Sequence, residues 1–237
     1  MGKLVKYYNG NLIEYDVLKL VDFYDPILRQ PTTPWVHKDH SPKECEYITF
    51  TLVETLKELG GVGLSANQIG LPHRVCAINM GNEIWTMFNP EIIDHGMVPS
   101  KYSEGCLSYP GLYIKAPRYD HIKVKFQAAY GQDLVQEFDG LTAVCVQHEI
   151  DHLNGIVYTD LISPIKLEQA KRKVKKNLKN MKRFQMQQSI LTAQQEMEVE
   201  ESSPTIKILD TPVDTQDKPQ AFVYSTGWRK LLILFRF

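Results

Sequence analysis

Leu141-Thr142-Ala143-Val144-Cys145-Val146-Gln147-His148-Glu149-Ile150-Asp151-His152-Leu153 places Leu141, Val144, Cys145, His148 and His152 at spacings of three and four. Residues so spaced share one face of a helix. Upstream, from Arg74 to about Phe138, the period changes. Short β-rich runs (Val75 to Ile78, Ile84 to Phe88, Ile122 to Phe126) are separated by Gly, Pro and Asp, as in an antiparallel sheet. Further upstream, Ser41-Pro42-Lys43-Glu44 combines a capping serine, a proline at the first helical position and a glutamate at the third. Ile48, Leu52, Leu56 and Leu59 mark the buried stripe of the helix that follows, and Gly60-Gly61 ends it. Downstream, Ser163-Pro164 repeats the start signal before a third apolar stripe, Leu167, Ala170, Val174, Leu178 and Met181. A few helices around a strand-rich middle define an α+β fold. Antiparallel sheets are expected to pack around a central helix carrying His148-Glu149-Ile150-Asp151-His152.

The two ends read differently. Residues 3 to 16 flank Asn9-Gly10, a strong hairpin signal, so residues 1–24 are expected to form an N-terminal extension with a hairpin. Residues 25–185 are expected to make one domain. Residues 186–237 turn Gln-rich, then acidic at Glu196, Glu198, Glu200 and Glu201, and end in a hydrophobic and basic piece, Gly227 to Phe237. They read as a mobile tail that buries too little apolar area to offset its ordering entropy.

Composition narrows the function. Among 237 residues, 27 Lys plus Arg balance 28 Asp plus Glu, so net charge gives no pull toward DNA or an anionic membrane. Cys45, Cys76, Cys106 and Cys145 are too dispersed for a disulfide scaffold, and reduced thiols are expected. The opening MGKLVKYYNGNLIEYD contains neither a signal-peptide core nor a transit-type segment, and no run approaches the roughly 20 apolar residues of a membrane span. A cytoplasmic protein with no integral membrane association is the expectation.

His148-Glu149-Ile150-Asp151-His152 is an HExxH sequence. Positions i and i+4 of a helix let both imidazoles reach one ion, with Glu149 beside it. A third donor is available from Cys106 in Glu104-Gly105-Cys106-Leu107-Ser108, whose glycine permits close backbone approach. These two segments and Gly61-Val62-Gly63-Leu64-Ser65-Ala66-Asn67-Gln68 resemble, in order and separation, the three signature motifs of the peptide deformylase family. The resemblance covers about Asp25 to Arg183. It departs at Ser65, where the family often has alanine, and at Tyr113, where some members carry arginine.

The resemblance implies hydrolysis of the N-formyl group from the initiating methionine of nascent polypeptides, releasing formate. It implies Cys106, His148 and His152 as ligands of one divalent ion, Fe²⁺ by family habit with Zn²⁺, Ni²⁺ or Co²⁺ as substitutes. It also implies Glu149 as the proton carrier, with an oxyanion hole from the Gln68 amide and the backbone N–H of Leu107. Val62, Leu141, Val144 and Cys145 match positions lining the methionine pocket. Val62, Gly63 and Gly105 are expected to bind the peptide main chain as an added strand.

Two other readings use the same residues. Cys145 sits three and seven residues before the histidines, so Cys106, Cys145, His148 and His152 could form a closed structural zinc site. HExxH is also shared by zinc endopeptidases, although those usually recruit a carboxylate or a third histidine. Separately, Lys171, Arg172, Lys173, Lys175, Lys176, Lys179, Lys182 and Arg183 form an acid-free basic run. It could contact ribosomal RNA through phosphates, or simply be a solvated face. His37, His40, His73, His95 and His121 have no ligand spacing and are expected at the surface, and Cys76 in strand core.

Overall fold

The computed structural model describes residues 4–8 and 11–202, so the Asn9-Gly10 turn signal and Gly227 to Phe237 lie outside the described residues. Among the described residues the fold is α+β, with three antiparallel sheets and three α-helices. Strands β1 (Leu4–Tyr8) and β2 (Asn11–Tyr15) pair antiparallel. A five-stranded sheet follows in the order β3 (Gly63–Ser65), β4 (Val75–Asn79), β5 (Ile84–His95), β8 (His121–Gln127), β9 (Asp133–Asp139). The hairpin of β6 (Ser100–Cys106) and β7 (Tyr109–Arg118) is inserted between the neighbours β5 and β8.

Helix α1 (Pro42–Leu59) starts as its sequence dictates. Ser41 accepts from the Glu44 N–H, the Glu44 side chain accepts from the Ser41 N–H, and Gly60 ends the helix at φ +65°. Its buried stripe differs from the expected one at two places. Leu59 is only half-buried, whereas Thr51 and Thr55 are fully buried. Their hydroxyls accept from the N–H groups of Asp16 (3.3 Å) and Leu18 (3.1 Å), so a polar pair in the apolar stripe ties the N-terminal segment to the helix.

Strand β4 explains how the core is divided. Val75 and Ala77 join Leu52, Leu56 and Phe88 in one apolar cluster, while Cys76 and Ile78 join Ala143, Val146, Ile150 and Leu153 of helix α2 (Gly140–Leu153) in another. Successive strand residues point to opposite faces. The sheet is therefore covered by α1 on one side and α2 on the other, which accounts for the unbroken apolar run of β4. A third cluster sets Leu112, Ile114, Val157 and Tyr158 against Leu167, Ala170 and Val174 of helix α3 (Pro164–Ser202).

The apolar stripe of α3 is shorter than expected, because Leu178 and Met181 are exposed. The helical run continues past residue 186, where the sequence marks a change of character, to Ser202. Among the described residues, contacts divide the chain into two units between Gln185 and Met186.

The expectation that the unassigned histidines lie at the surface holds for His95; His121 is half-buried beside Asp139, and His37, His40 and His73 are half-buried together. Trp35 is buried and draws them in: His40 stacks on it at 3.7 Å, and His73 meets its edge at 5.0 Å. A flat imidazole covers an indole face well, so packing rather than ligation explains them.

Gly155, just beyond α2, has φ +74°, and a Cβ there would lie 2.8 Å from the backbone carbons of Arg29 and Gln30. Gly155→Ala is expected to destabilise the protein by about 2–3 kcal/mol through left-handed strain plus collision with fixed backbone. Differential scanning calorimetry should show a fall in Tm of roughly 5–10 °C.

Candidate metal centre and its cleft

Cys106 ends β6 at a register shift between Glu104 and Cys106, and it pairs with Tyr109 across the tight turn Leu107-Ser108. The kink turns its thiol toward α2. There His148 and His152 stand one turn apart, with ring centroids 4.9 Å from each other. Ligand atoms of Cys106, His148 and His152 lie within 4.8 Å of one another, and Cys106 Sγ is 3.2 Å from His152 Nε2. Two donors held about 2.0–2.3 Å from one tetrahedral ion lie about 3.5 Å apart, close to the Cys106–His152 separation. No other set of three such donors converges among the described residues.

The orientation of His148 is fixed from behind. Its Nδ1 lies 2.9 Å from Glu104 Oε2, which leaves Nε2 facing Cys106. Arg118 grips Glu104 through Nε (2.7 Å) and Nη2 (3.0 Å) and reaches Asp151 through Nη1 (2.5 Å). A ligating imidazole whose other nitrogen meets a buried carboxylate is the usual support of a metal site. Burial alone would raise the Glu104 carboxyl. Hydrogen bonds from His148 and Arg118 and the guanidinium charge outweigh it and hold Glu104 below its ordinary value.

The electrostatics favour a cation. Burial would lower His148, yet hydrogen bonds to Cys106 and Glu104 and the charge of Glu149 push it up to about 10. His152, by contrast, is held well below its ordinary value by burial and by His148, and so is neutral as a ligand must be.

Glu149 follows His148 and is buried, with Oε2 unpartnered. Burial lifts its carboxyl to about 7, a shift that His148, Ser65 and Arg118 partly offset. Gly63 keeps its space open: a Cβ there would collide with Glu149 Oε1 and lie 2.8 Å from Cys145 Sγ. Gln68 is also buried. Its Oε1 accepts from the Ser65 N–H (2.9 Å), which sends Nε2 toward Ser108 Oγ (3.1 Å) and Cys106 Sγ (3.4 Å). Asn67 donates to the His152 carbonyl at 2.6 Å and so fixes the far end of the ligand turn.

These groups form one wall of a cleft of about 650 Å³. Val62, Gly63, Gln68, Gly105, Cys106, Leu107, Leu141, Val144, Cys145, His148 and Glu149 all line it, while His152 lies beneath. Val62 and Leu141 stand at the rim, 68% and 75% exposed, and Val144 is buried deeper. Cys145 is not part of the ligand cluster. Its thiol donates to the Val62 carbonyl at 3.4 Å, and burial followed by the charges of Glu149 and Glu104 pushes it up, away from a thiolate.

Sequence reasoning passed over Glu104, Arg118 and Asp151 as supports. Glu104 and Asp151 stand inside the cysteine and histidine motifs, but nothing local marks Arg118 as the residue joining them. Glu104→Gln is expected to weaken metal binding about 10- to 100-fold, as read by competition with a chelator of known affinity.

A Cys/His/His cluster with an unpartnered carboxyl beside it, opening on a cleft, defines a metallohydrolase. The family model for polypeptide deformylase matches residues 17–168. Peptide deformylase 2 of Xanthomonas axonopodis pv. citri is 34% identical over 168 residues, covering 70% of this chain and 98% of that protein. Peptide deformylase of Thermotoga maritima is 35% identical over 161 residues, covering 68% and 96%. Among solved structures, a peptide deformylase from Legionella pneumophila matches with TM-score 0.62 at 32% identity, covering 72% of this chain and 98% of that one. One from Synechococcus elongatus in complex with actinonin matches with TM-score 0.61 at 30% identity, covering 66% and 85%. The chain belongs to the peptide deformylase family, whose members are metal-dependent enzymes acting on formylated nascent peptides. The matched range leaves out the β1–β2 hairpin.

Proposed function

We propose that this chain removes the formyl group from the N-terminal formylmethionine of nascent polypeptides, releasing formate, with one divalent ion held by Cys106, His148 and His152. The observation that carries this reading is the convergence of those three donors beside the unpartnered carboxyl of Glu149 at the wall of the cleft. The ion, when bound, supplies Lewis-acid activation of water and of the formyl oxygen. A thiolate and two imidazoles suit Fe²⁺, the expected ion, as well as Zn²⁺, Ni²⁺ or Co²⁺. Glu149 takes a proton from the attacking water and delivers it to the departing amine. Gln68 Nε2 and the Leu107 N–H donate to the formyl oxygen as negative charge develops there. Val62, Leu141, Val144 and Cys145 enclose the methionine side chain, and the backbone at Val62, Gly63 and Gly105 aligns the peptide. In this reading α2 is the central helix of the enzyme.

The setting we propose is the cytoplasm, near ribosomes, where nascent chains emerge. Among the described residues no helix is long and apolar enough to cross a membrane. The basic run Lys171 to Arg183 would meet ribosomal RNA, with binding that weakens steeply as salt rises. Sedimentation with ribosomes that is absent, or indifferent to salt, would remove this part of the proposal.

The reaction is tested with formyl-Met-Ala-Ser, acetyl-Met-Ala-Ser and an internally cleavable peptide offered together. Only the formylated peptide should lose its acyl group. Internal cleavage would instead identify an endopeptidase.

A further inference from the structure

The outward face of the β6–β7 hairpin carries residues the reaction itself does not use. Tyr113, Lys115 and Pro117 alternate with the buried Leu112, Ile114, Ala116 and Arg118, so they share the solvent side of β7. On β6 the exposed positions are Lys101, Ser103 and Gly105. Strand register sets Ser103 opposite Lys115 and Lys101 opposite Pro117. Tyr113 lies across Gly105: a Cβ on Gly105 would be 2.7 Å from the ring, which is nonetheless 69% exposed. The cleft includes Gly105, Tyr113 and Ser103, so its wall leads from Cys106 back along β6 toward the two lysines. Neither Lys101 nor Lys115 forms an ion pair among the described residues. Of the carboxylates nearest in sequence, Glu104 points inward to Arg118, and Asp120 accepts from the hydroxyls of Ser100 and Tyr102.

We propose that Tyr113, Lys115 and Lys101 form an extended subsite that favours acidic residues at the fourth and sixth positions of the substrate. The inference rests on the deformylase reading above. A peptide laid along β6 advances about 3.3 Å per residue. With its methionine at the metal centre, its second residue passes over Gly105 against the Tyr113 ring, its fourth comes level with Ser103 and the facing Lys115, and its sixth with Lys101. Unpaired ammonium groups there attract carboxylates and repel cations, through contacts that are exposed and therefore modest and screened by salt.

The test compares kcat/KM of the metal-loaded enzyme for formyl-Met-Ala-Ser-Asp-Ser-Asp-amide and formyl-Met-Ala-Ser-Lys-Ser-Lys-amide. The acidic peptide should be favoured about three- to tenfold at low ionic strength, mostly through KM, and the two should approach parity at high salt. The double variant Lys101→Glu, Lys115→Glu should reverse the preference, an outcome that also shows the variant is folded. Equilibrium binding of the two acetylated peptides reads the same subsite without turnover. Equal affinities there, equal kcat/KM values, or a preference that survives charge reversal would overturn the proposal. Absence of formate release from every formylated peptide, with acidic peptides still bound more tightly, would overturn the deformylase reading and leave the subsite standing.

Discussion

Glu149→Gln should retain a full complement of metal and lose about 10²–10⁴ of the single-turnover rate of formate release. Glutamine matches glutamate in shape, so the packing against Gly63 and the ligand positions of Cys106, His148 and His152 are preserved. What is lost is the ability to accept a proton. The native carboxyl is suited to that task because burial lifts it to about 7, and a group titrating near the working pH both takes and returns a proton readily. Metal content by plasma mass spectrometry, measured on the samples used for turnover, separates loss of the carrier from loss of the ion. A variant that keeps its metal and more than about a tenth of the parent rate would show that Glu149 is not the proton carrier.

Cys106→Ala should have the opposite signature, with metal and activity lost together. Two imidazoles remain, one held by Glu104 and one buried without a partner on Nδ1. Neither supplies the negative charge of a thiolate, and a divalent ion bound by two neutral donors is held far less tightly than by three. The purified variant is expected to carry less than about a tenth of an equivalent of metal after dialysis against a mild chelator. Retention of a full equivalent would place the ion elsewhere, with Cys145 the first residue to examine. The geometry argues against Cys145, whose thiol is turned to the Val62 carbonyl.

The reach of the sequence differed between elements for physical reasons. The start and end of α1 were legible because a capping box and a left-handed glycine are local devices, specified within a few residues. The convergence of His148 and His152 was legible for the same reason, since helical spacing alone puts both on one face. Cys106 needed more. Its approach to α2 depends on a strand irregularity and a tight turn, and only its motif pointed to it. The chain Asp151–Arg118–Glu104–His148 joins three separate elements and has no local signature. The burial of Thr51 and Thr55 was hidden because hydroxyls read as polar until the backbone N–H groups they satisfy are known. The exposure of Leu178 and Met181 shows the converse, a stripe with helical period extending beyond the surface that receives it.

The central claim is that one ion sits on one thiolate and two imidazoles, with a position left open for chemistry. Metal-edge X-ray absorption of anaerobically prepared protein tests it most directly. The account predicts one sulfur and two imidazole nitrogens, with the remaining light-atom donor displaced when formate is added. Two sulfurs in the shell, unchanged by formate, would mean that Cys145 closes a structural site and would contradict the account.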